Sequence, residues 1–292
     1  MIAAVVLTYD PPPGMLEDCL ASLLAGGDVE VILVDNGGRT DRLPSTTLAG
    51  IDLLVPGRNL GFAAGMNLGI RRALDRGADA VMVLNDDVVV EPGWLAPLAA
   101  ELAVDRVGER VGAVQPTLLF AGEPPTINSL GVALGHDGAG TDVGMHDPDD
   151  PSDVVARDLA IFTGGAVLFA ADFVRETDGF DERFFLYYED VDLALRGTEL
   201  GWRYRLAPAS RVRHRGSATV ASIGSRSAYF RERNRIWVLF RHRPWSDVGR
   251  GLWLSVRRLR WAPRGAHAKA LVAGLVAAPR LVRARRHASN SL

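Results

Sequence analysis

The chain has 292 residues, a formal net charge of −2, 48% apolar and 7% aromatic residues, and one cysteine. It is long enough for a large core, its composition is that of a globular protein, and with Cys19 alone no intramolecular disulfide can form, which fits a reducing compartment. No uncharged apolar run approaches the roughly 20 residues needed to span a bilayer, Ala270 to Pro279 being about half that, and the N-terminus opens into a strand without a signal-peptide flank, so a cytoplasmic location is expected.

Residues 2 to 9 read as a strand apolar on both faces, as a central parallel strand would be, ended by Pro11, Pro12 and Pro13. Leu16, Cys19, Leu20, Leu23 and Leu24 recur at helical spacing up to Gly26 and Gly27. A second strand, Val29 to Val34, stops at the turn residues Asp35-Asn36-Gly37-Gly38, which completes a βαβ pattern. A short strand at Ile51 to Val55 leads through Asn59 into a helix towards Arg76. Its Gly61, Gly65 and Gly69 fall on one face, permitting close approach of backbone to a strand or ligand; for Gly69, tight packing on the sheet suffices. The dinucleotide fingerprint Gly-x-Gly-x-x-Gly is missing, since the first turn reads Asp10-Pro11-Pro12-Pro13-Gly14. The strand Ala80 to Leu84 then runs into Asn85-Asp86-Asp87. Acids at the carboxyl end of a buried strand stand where open α/β sheets hold ligands, and clustered carboxylates suit a hard divalent cation; taken alone, the pair is better explained by a solvated turn, and the features further along the chain favour the metal site.

Pro92 suits the first turn of a helix to about Val104, and Val111 to Thr117 reads as a strand. From Ala121 to Asp158 the periodicity fades into a long loop or a pair of weak strands. Ile161 to Ala170 sets the pair Gly164-Gly165 ahead of an apolar strand. Between Gly179 and Arg196 an aromatic run, Phe184 to Tyr188, meets Glu189, Asp190 and Asp192 at the start of a helix whose buried side carries Leu193 and Leu200. Capping accounts for Glu189, whereas Asp190 and Asp192 together, beside aromatics in a cleft, are a source of a general base. The strand Trp202 to Leu206 and Pro208 precede Arg211-Val212-Arg213-His214-Arg215. Like charge disfavours protonation of His214 there and leaves it able to ligate a metal or take a proton, unless it is a plain surface histidine.

From Arg226 onward, sixteen Lys and Arg face only Glu232 and Asp247, a net +14 that leaves −16 for the rest of the chain. Trp237, Trp245, Trp253 and Trp261 recur every eight residues within this tail, which reads either as an interfacial surface for anionic lipid or as helices packed on the protein.

The motifs Val5-Val6-Leu7-Thr8-Tyr9, Val34-Asp35-Asn36-Gly37, Asn59-Leu60-Gly61-Phe62 with Gly65 and Asn67, Leu84-Asn85-Asp86-Asp87, Thr163-Gly164-Gly165-Ala166, the block Gly179 to Leu193, and His214 stand in one order. In that order the chain resembles the inverting family 2 glycosyltransferases of GT-A fold, and among them the bacterial rhamnosyltransferase-like group. The resemblance implies an α/β GT-A catalytic domain over residues 1–217, a mixed sheet flanked by helices, and a basic, Trp-rich helical extension over 218–292. It implies that Thr8, Tyr9 and Asp35 hold the base and ribose of a nucleotide sugar, that Asn59, Gly65 and Asn67 line its diphosphate and sugar side, and that Gly164 is a substrate-binding residue. Asp87 would bind Mg2+ or Mn2+, with Asp86 assisting and His214 completing the site; Asp190 would be the catalytic base, with Glu189 and Asp192 beside it. Asn85 departs from the Asp that usually opens the metal motif, which removes one charge.

The implied reaction moves a sugar from dTDP-rhamnose or a UDP-sugar to a hydroxyl of a lipid-linked or cell-surface glycan. Rivals are a nucleotide-sugar hydrolase or nucleotidyltransferase, and a non-catalytic membrane-tethering subunit. A lipid-linked acceptor favours peripheral contact of the tail with anionic membrane at the inner face of the cell membrane. Nucleic acid is not an expected partner, because the body is acidic and no recognised module occurs; a homo-oligomer stays open.

Overall fold

The computed structural model describes the chain except residues 27, 39, 44–45, 105–107, 153, 216–224, 261–263 and 290–292. The N-terminal part follows the βαβ pattern: β1 (Ile2–Thr8), α1 (Met15–Ala25), β2 (Glu30–Asp35), β3 (Asp52–Leu54), α2 (Gly61–Asp75) and β4 (Ala80–Asn85). These four strands are parallel in the order β4-β1-β2-β3, with Thr8 level with Asp35 and Leu7 level with Asn85, so their carboxyl ends share one edge. Successive side chains point to opposite faces of a strand. Val5, Leu7, Val81 and Val83 accordingly join the core beneath α2, while Ala4, Val6, Met82 and Leu84 join the core beneath α1. Burial on both faces is why the strands read as unbroken apolar runs. A Cβ on Gly69 would lie 2.3 Å from Val5 Cγ1 and 3.0 Å from Val34 Cγ2; α2 lies closer to the sheet than any side chain allows.

The sheet continues through β5 (Val88–Val90), β6 (Arg110–Phe120), β7 (Ile127–Ser129), β10 (Arg157–Leu159), β11 (Ala166–Ala170) and β12 (Trp202–His214), while β8 (Val132–Leu134) and β9 (Gly140–Asp142) form a separate hairpin. The full order is β10-β12-β6-β11-β4-β1-β2-β3, with β11 antiparallel to both neighbours and β12 parallel to β6, a mixed sheet as expected. Helices α3 (Leu95–Leu102), α4 (Ala171–Thr177) and α5 (Glu189–Glu199) complete this part.

The stretch Ala121 to Asp158 holds short strands, the second of its two expected alternatives. Three expectations change in detail. Helix α3 starts at Leu95, not Pro92, because Gly93 takes φ 79° and turns the chain first. Strand β12 passes Pro208 and reaches His214 through a register shift between Ala207 and Arg211, an irregularity that accommodates a residue without an N–H. Leu200 is 48% exposed because it sits past the last turn of α5, at its C-cap.

The tail forms α6 (Ser225–His242), α7 (Trp245–Arg258) and α8 (Arg264–Ser289). Ile236, Val238 and Leu239 of α6, Val248 of α7 and Leu281 of α8 enter the same core as α2 and α5. Trp237 is buried edge-on against Phe184, with ring centroids 5.4 Å apart, whereas Trp245 and Trp253 stay exposed. Trp261 lies outside the described residues. Among the described residues no helix is long and apolar enough to cross a membrane.

Candidate active site

A cavity of about 1050 Å3 opens at the carboxyl ends of the parallel strands, bounded by Tyr9, Asn59, Asp86 and Asp87 on the strand side and by Gly164, Glu189, Asp190 and His214 opposite. Its walls are built by distant parts of the chain.

Asp86 follows directly on β4, and β1 lies beside it. The Thr8 hydroxyl donates to Asp86 Oδ2 at 2.7 Å and the Tyr9 N–H at 3.3 Å. Burial raises the Asp86 pKa to about 6, against the stabilising hydrogen bond from Thr8. Asp87 faces the end of β12: its Oδ1 lies 3.0 Å from His214 Nε2. The angle is not that of a hydrogen bond, and both atoms are buried with no hydrogen-bond partner. His214 Nδ1 lies 3.2 Å from Asn128 Oδ1. In the tautomer where Nδ1–H donates to Asn128, the Nε2 lone pair is turned towards Asp87, the second-sphere arrangement that orients a metal-ligating imidazole. Two orphaned donor atoms of opposite ligand type fit a divalent cation that takes its other ligands from water and a substrate diphosphate. Among the described residues no group of three or more His, Cys, Asp or Glu gathers to hold a metal unaided.

Several predicted substrate residues turn inward. Asp35 closes its own turn: Oδ1 accepts from the N–H groups of Gly37 (3.1 Å) and Gly38 (2.7 Å), and Oδ2 from the N–H and hydroxyl of Thr40, both at 2.7 Å. Both its oxygens are thus engaged by its own turn, and Asn36 lines the cavity in its place, donating to Asn59 Oδ1 and accepting the Leu60 N–H at 2.7 Å. Gly65 packs under Leu7, where a Cβ would lie 2.6 Å from Cδ1. Asn67 is buried and bonds both backbone groups of Phe180, donating at 2.8 Å and accepting at 3.0 Å. Asp192 is completely buried, paired with Arg196 at 2.8 Å, Arg241 at 3.0 Å and His242 at 2.9 Å. Burial pushes its pKa up, but these partners hold the carboxyl well below the usual range. Two residues on a helix lie about 200° apart, so Asp190 and Asp192 cannot face the same cavity.

Asp190 faces it. The Gly164 N–H donates to Oδ2 at 2.9 Å and the Val191 N–H to Oδ1 at 2.8 Å. Burial raises its pKa and the two N–H groups pull it partly back, so it is a stronger base than an exposed aspartate while still charge-stabilised. Glu189 is not a cap: α5 has no side-chain cap, Glu189 Oε2 is buried without a partner, and burial followed by the Asp190 charge pushes its pKa well up. The chain enters this acid pair through Phe185, Tyr187 and Tyr188, at φ 67°, 68° and 68°. Such backbone costs about 1–3 kcal/mol per residue and clusters at functional sites.

Residues from two regions without a clear sequence signal complete the wall. Asp142 comes from the β9 hairpin, and burial raises its pKa against the hydrogen bond of Ser129 and the charges of His214 and Arg231. Tyr229, Phe230 and Arg231 come from the first turns of α6, where Arg231 lies over the Tyr187 ring at 4.5 Å. The adjacent aromatics and arginine of Tyr229-Phe230-Arg231 are the one signal the sequence carries for this wall, and they stand in the basic tail.

The family model described as Glycosyl transferase family 2 matches residues 3–117, and that of Glycosyl transferase family group 2 matches residues 80–280. The chain is 30% identical to the N-acetylglucosaminyl-diphospho-decaprenol L-rhamnosyltransferase of Mycobacterium tuberculosis, over 91% of this chain and 90% of that one. Among solved structures it superposes on GalNAc-T7 with UDP, GalNAc and Mn2+ at a TM-score of 0.70 and 15% identity, covering 99% of this chain but only 55% of the other. It also superposes on the mannosyltransferase PcManGT of Pyrobaculum calidifontis, in complex with GDP-Man and Mn2+, at a TM-score of 0.54 and 14% identity, over 95% of this chain and 86% of the other.

Proposed function

The chain belongs to the family 2 glycosyltransferases, enzymes of GT-A fold that transfer a sugar from a nucleotide-activated donor, and from that premise we propose an inverting transfer with Asp190 as the base, rhamnose as the sugar and dTDP-rhamnose as the donor. The observation that carries the mechanism is the pairing, in one cavity, of a buried aspartate anchored by the Gly164 N–H with the orphaned Asp87 and His214 atoms. Rhamnose is supported by the similarity to the mycobacterial rhamnosyltransferase.

The acceptor hydroxyl has a high pKa, so its proton must leave as the new bond forms; Asp190, with its affinity for a proton raised by burial, takes it. The acceptor oxygen bonds to the anomeric carbon while the bond to the donor diphosphate breaks with its electron pair, which inverts that carbon. Thr8, Tyr9, Asn36 and Asn59 line or brace the nucleotide side, and Asp86 holds the Thr8 hydroxyl in place. Asp87 and His214 would hold Mg2+ or Mn2+, which when bound supplies positive charge to the departing diphosphate. The acceptor is a polyprenyl-linked glycan in this reading. The exposed Trp245, Trp253, Val272, Leu275 and Val276 of α7 and α8, amid arginines, form the contact with anionic membrane. The test is product analysis of purified protein with dTDP-rhamnose, UDP-sugars and GDP-sugars, an N-acetylglucosaminyl lipid diphosphate and Mn2+. Rhamnosyl transfer from dTDP-rhamnose alone supports the proposal; transfer from another donor, or release of free sugar irrespective of acceptor, refutes it.

A further inference from the structure

The approach to the acid pair is hydrogen-bonded by a residue of the tail. Phe185, Tyr187 and Tyr188, three of the four residues before α5, take positive φ, a conformation that residues with side chains keep only where their surroundings impose it. A group that binds this segment lies in the middle of α6. Asn234 is completely buried, and its amide nitrogen donates to the carbonyls of Phe184 (3.0 Å), Leu186 (2.8 Å) and Tyr187 (2.6 Å). An amide has two N–H bonds for these three acceptors, so one is shared. Its own carbonyl accepts from Arg233 Nε at 2.8 Å, and Arg233 Nη2 reaches Phe184 O at 2.6 Å. Seven residues on, two turns along the same helical face, Arg241 together with His242 grips Asp192 beyond the acid pair. From the other side the Phe62 N–H at the start of α2 donates to Phe185 O at 2.6 Å. Asparagine is a poor residue for a helix interior, and within α6 its side chain hydrogen-bonds only the neighbouring Arg233 among the described residues, while its amide N–H groups go to the approach to α5.

We propose that Asn234 is a positioning residue for Asp190: by binding three carbonyls of the strained approach to α5, it sets the direction in which the acid pair enters the cavity. The inference rests on the reading of Asp190 as base. It also gives the tail a part in the reaction that is separate from any membrane contact. Among the described residues the side-chain hydrogen bonds of Asn234 go to Arg233, Phe184, Leu186 and Tyr187 and not to β1, β2 or β4, which build the donor side, so loss of the amide is expected to separate turnover from nucleotide binding.

The experiment uses the full chain with Asn234→Asp, which keeps the size but removes both N–H donors, Asn234→Ala, and Asp190→Asn as control. Folded fraction is read by circular dichroism and thermal melting. Nucleotide affinity is read by calorimetry with dTDP, UDP and GDP in Mn2+, and turnover at saturating donor and acceptor. A displacement of reacting groups by about 1 Å costs on the order of 10²-fold. The expected result is therefore a kcat lower by about that factor in folded Asn234 variants, with nucleotide Kd changed by less than about threefold. Full kcat in a folded variant overturns the proposal. So does a parallel fall of turnover and nucleotide binding with the folded fraction, or failure of both variants to fold, each of which assigns Asn234 to structure alone. Full activity in Asp190→Asn instead refutes the underlying reading, whatever the Asn234 variants do.

Discussion

At the ends of β1, β2 and β4, polar groups are held by their own turns or by the adjacent strand: Asp35 by Gly37, Gly38 and Thr40, Asp86 by Thr8 and Tyr9. Around Asp190 the supports arrive from far along the chain, Gly164 on one side, Asn67 of α2 behind and Asn234 and Arg241 of α6 beyond. One half of the cavity is thus a by-product of parallel strand packing, and the other is assembled by tertiary contacts over a strained loop. The difference predicts that damage to the first half weakens binding locally, while damage to the second propagates to catalysis and to the seat of the C-terminal helices.

The strongest test of that division is Asp190→Asn. Removing a positioned base costs about 10²–10⁴-fold in rate, and because the donor half stands on other elements, nucleotide affinity should stay within about threefold. Rate assays beside nucleotide titrations check this; a parallel loss of affinity would merge the two halves. Asp192→Asn follows. It leaves Arg196, Arg241 and His242 facing a neutral amide in a buried site, and breaking such a pair costs about 3–5 kcal/mol. Urea unfolding at pH 7 measures it. The depressed Asp192 pKa fixes the sign: this contribution is present above the ordinary aspartate pKa and is lost as pH falls through the lower, folded-state value. A loss below about 1 kcal/mol would mean that α6 is not anchored to α5 through this charge.

On the donor side, Asp87→Ala should weaken Mn2+-dependent nucleotide binding by about 10–100-fold, the range known for disturbed metal sites, and leave binding in EDTA unchanged. Equal affinities with and without Mn2+ in the wild type would sink the two-ligand reading of Asp87 and His214. Gly69→Ala tests the packing beneath that half: its Cβ would meet Val5 Cγ1 at 2.3 Å, and overpacking of about 1–3 kcal/mol outweighs the helix preference of alanine, about 1 kcal/mol. A melting temperature equal to or above the wild type would refute the close seating of α2.

What the sequence disclosed follows the same division. Strand ends announce themselves because a doubly buried strand is an unbroken apolar run and the polar residue that stops it lies at the sheet edge, as at Thr8, Asp35 and Asn85. The type of each acid was legible, its direction was not: Asp35 folds back on its own turn, and Asp192 points half a helical turn away from Asp190. Asp142 and Asn234 stayed hidden because their surroundings exist only once a weak hairpin and a C-terminal helix have docked on residues far away in sequence. The tail showed its charge and its tryptophans, but the burial of Trp237 against Phe184 depends on that same docking.

The smallest predicted effect is a gain. Glu189 is buried with Oε2 unpartnered, and burial, reinforced by Asp190, holds its pKa well above the value of about 4.3 in an unfolded chain. A group whose folded pKa is raised contributes its stability fully below the unfolded pKa, and that contribution drains away as pH rises through the folded value. Each pH unit between the two removes about 1.4 kcal/mol from the wild type. Glutamine has the shape of the protonated acid and nothing to titrate, so Glu189→Gln should match the wild type near pH 4 and gain on it as pH rises. Urea midpoints of the two proteins, compared at each pH, report the titration of Glu189 together with its coupling to Asp190. A difference that stays constant with pH would mean that Glu189 finds a partner after all. A difference that grows would show that the strained half of the cavity holds an acid at a cost to stability, as expected where a site is shaped for its substrate.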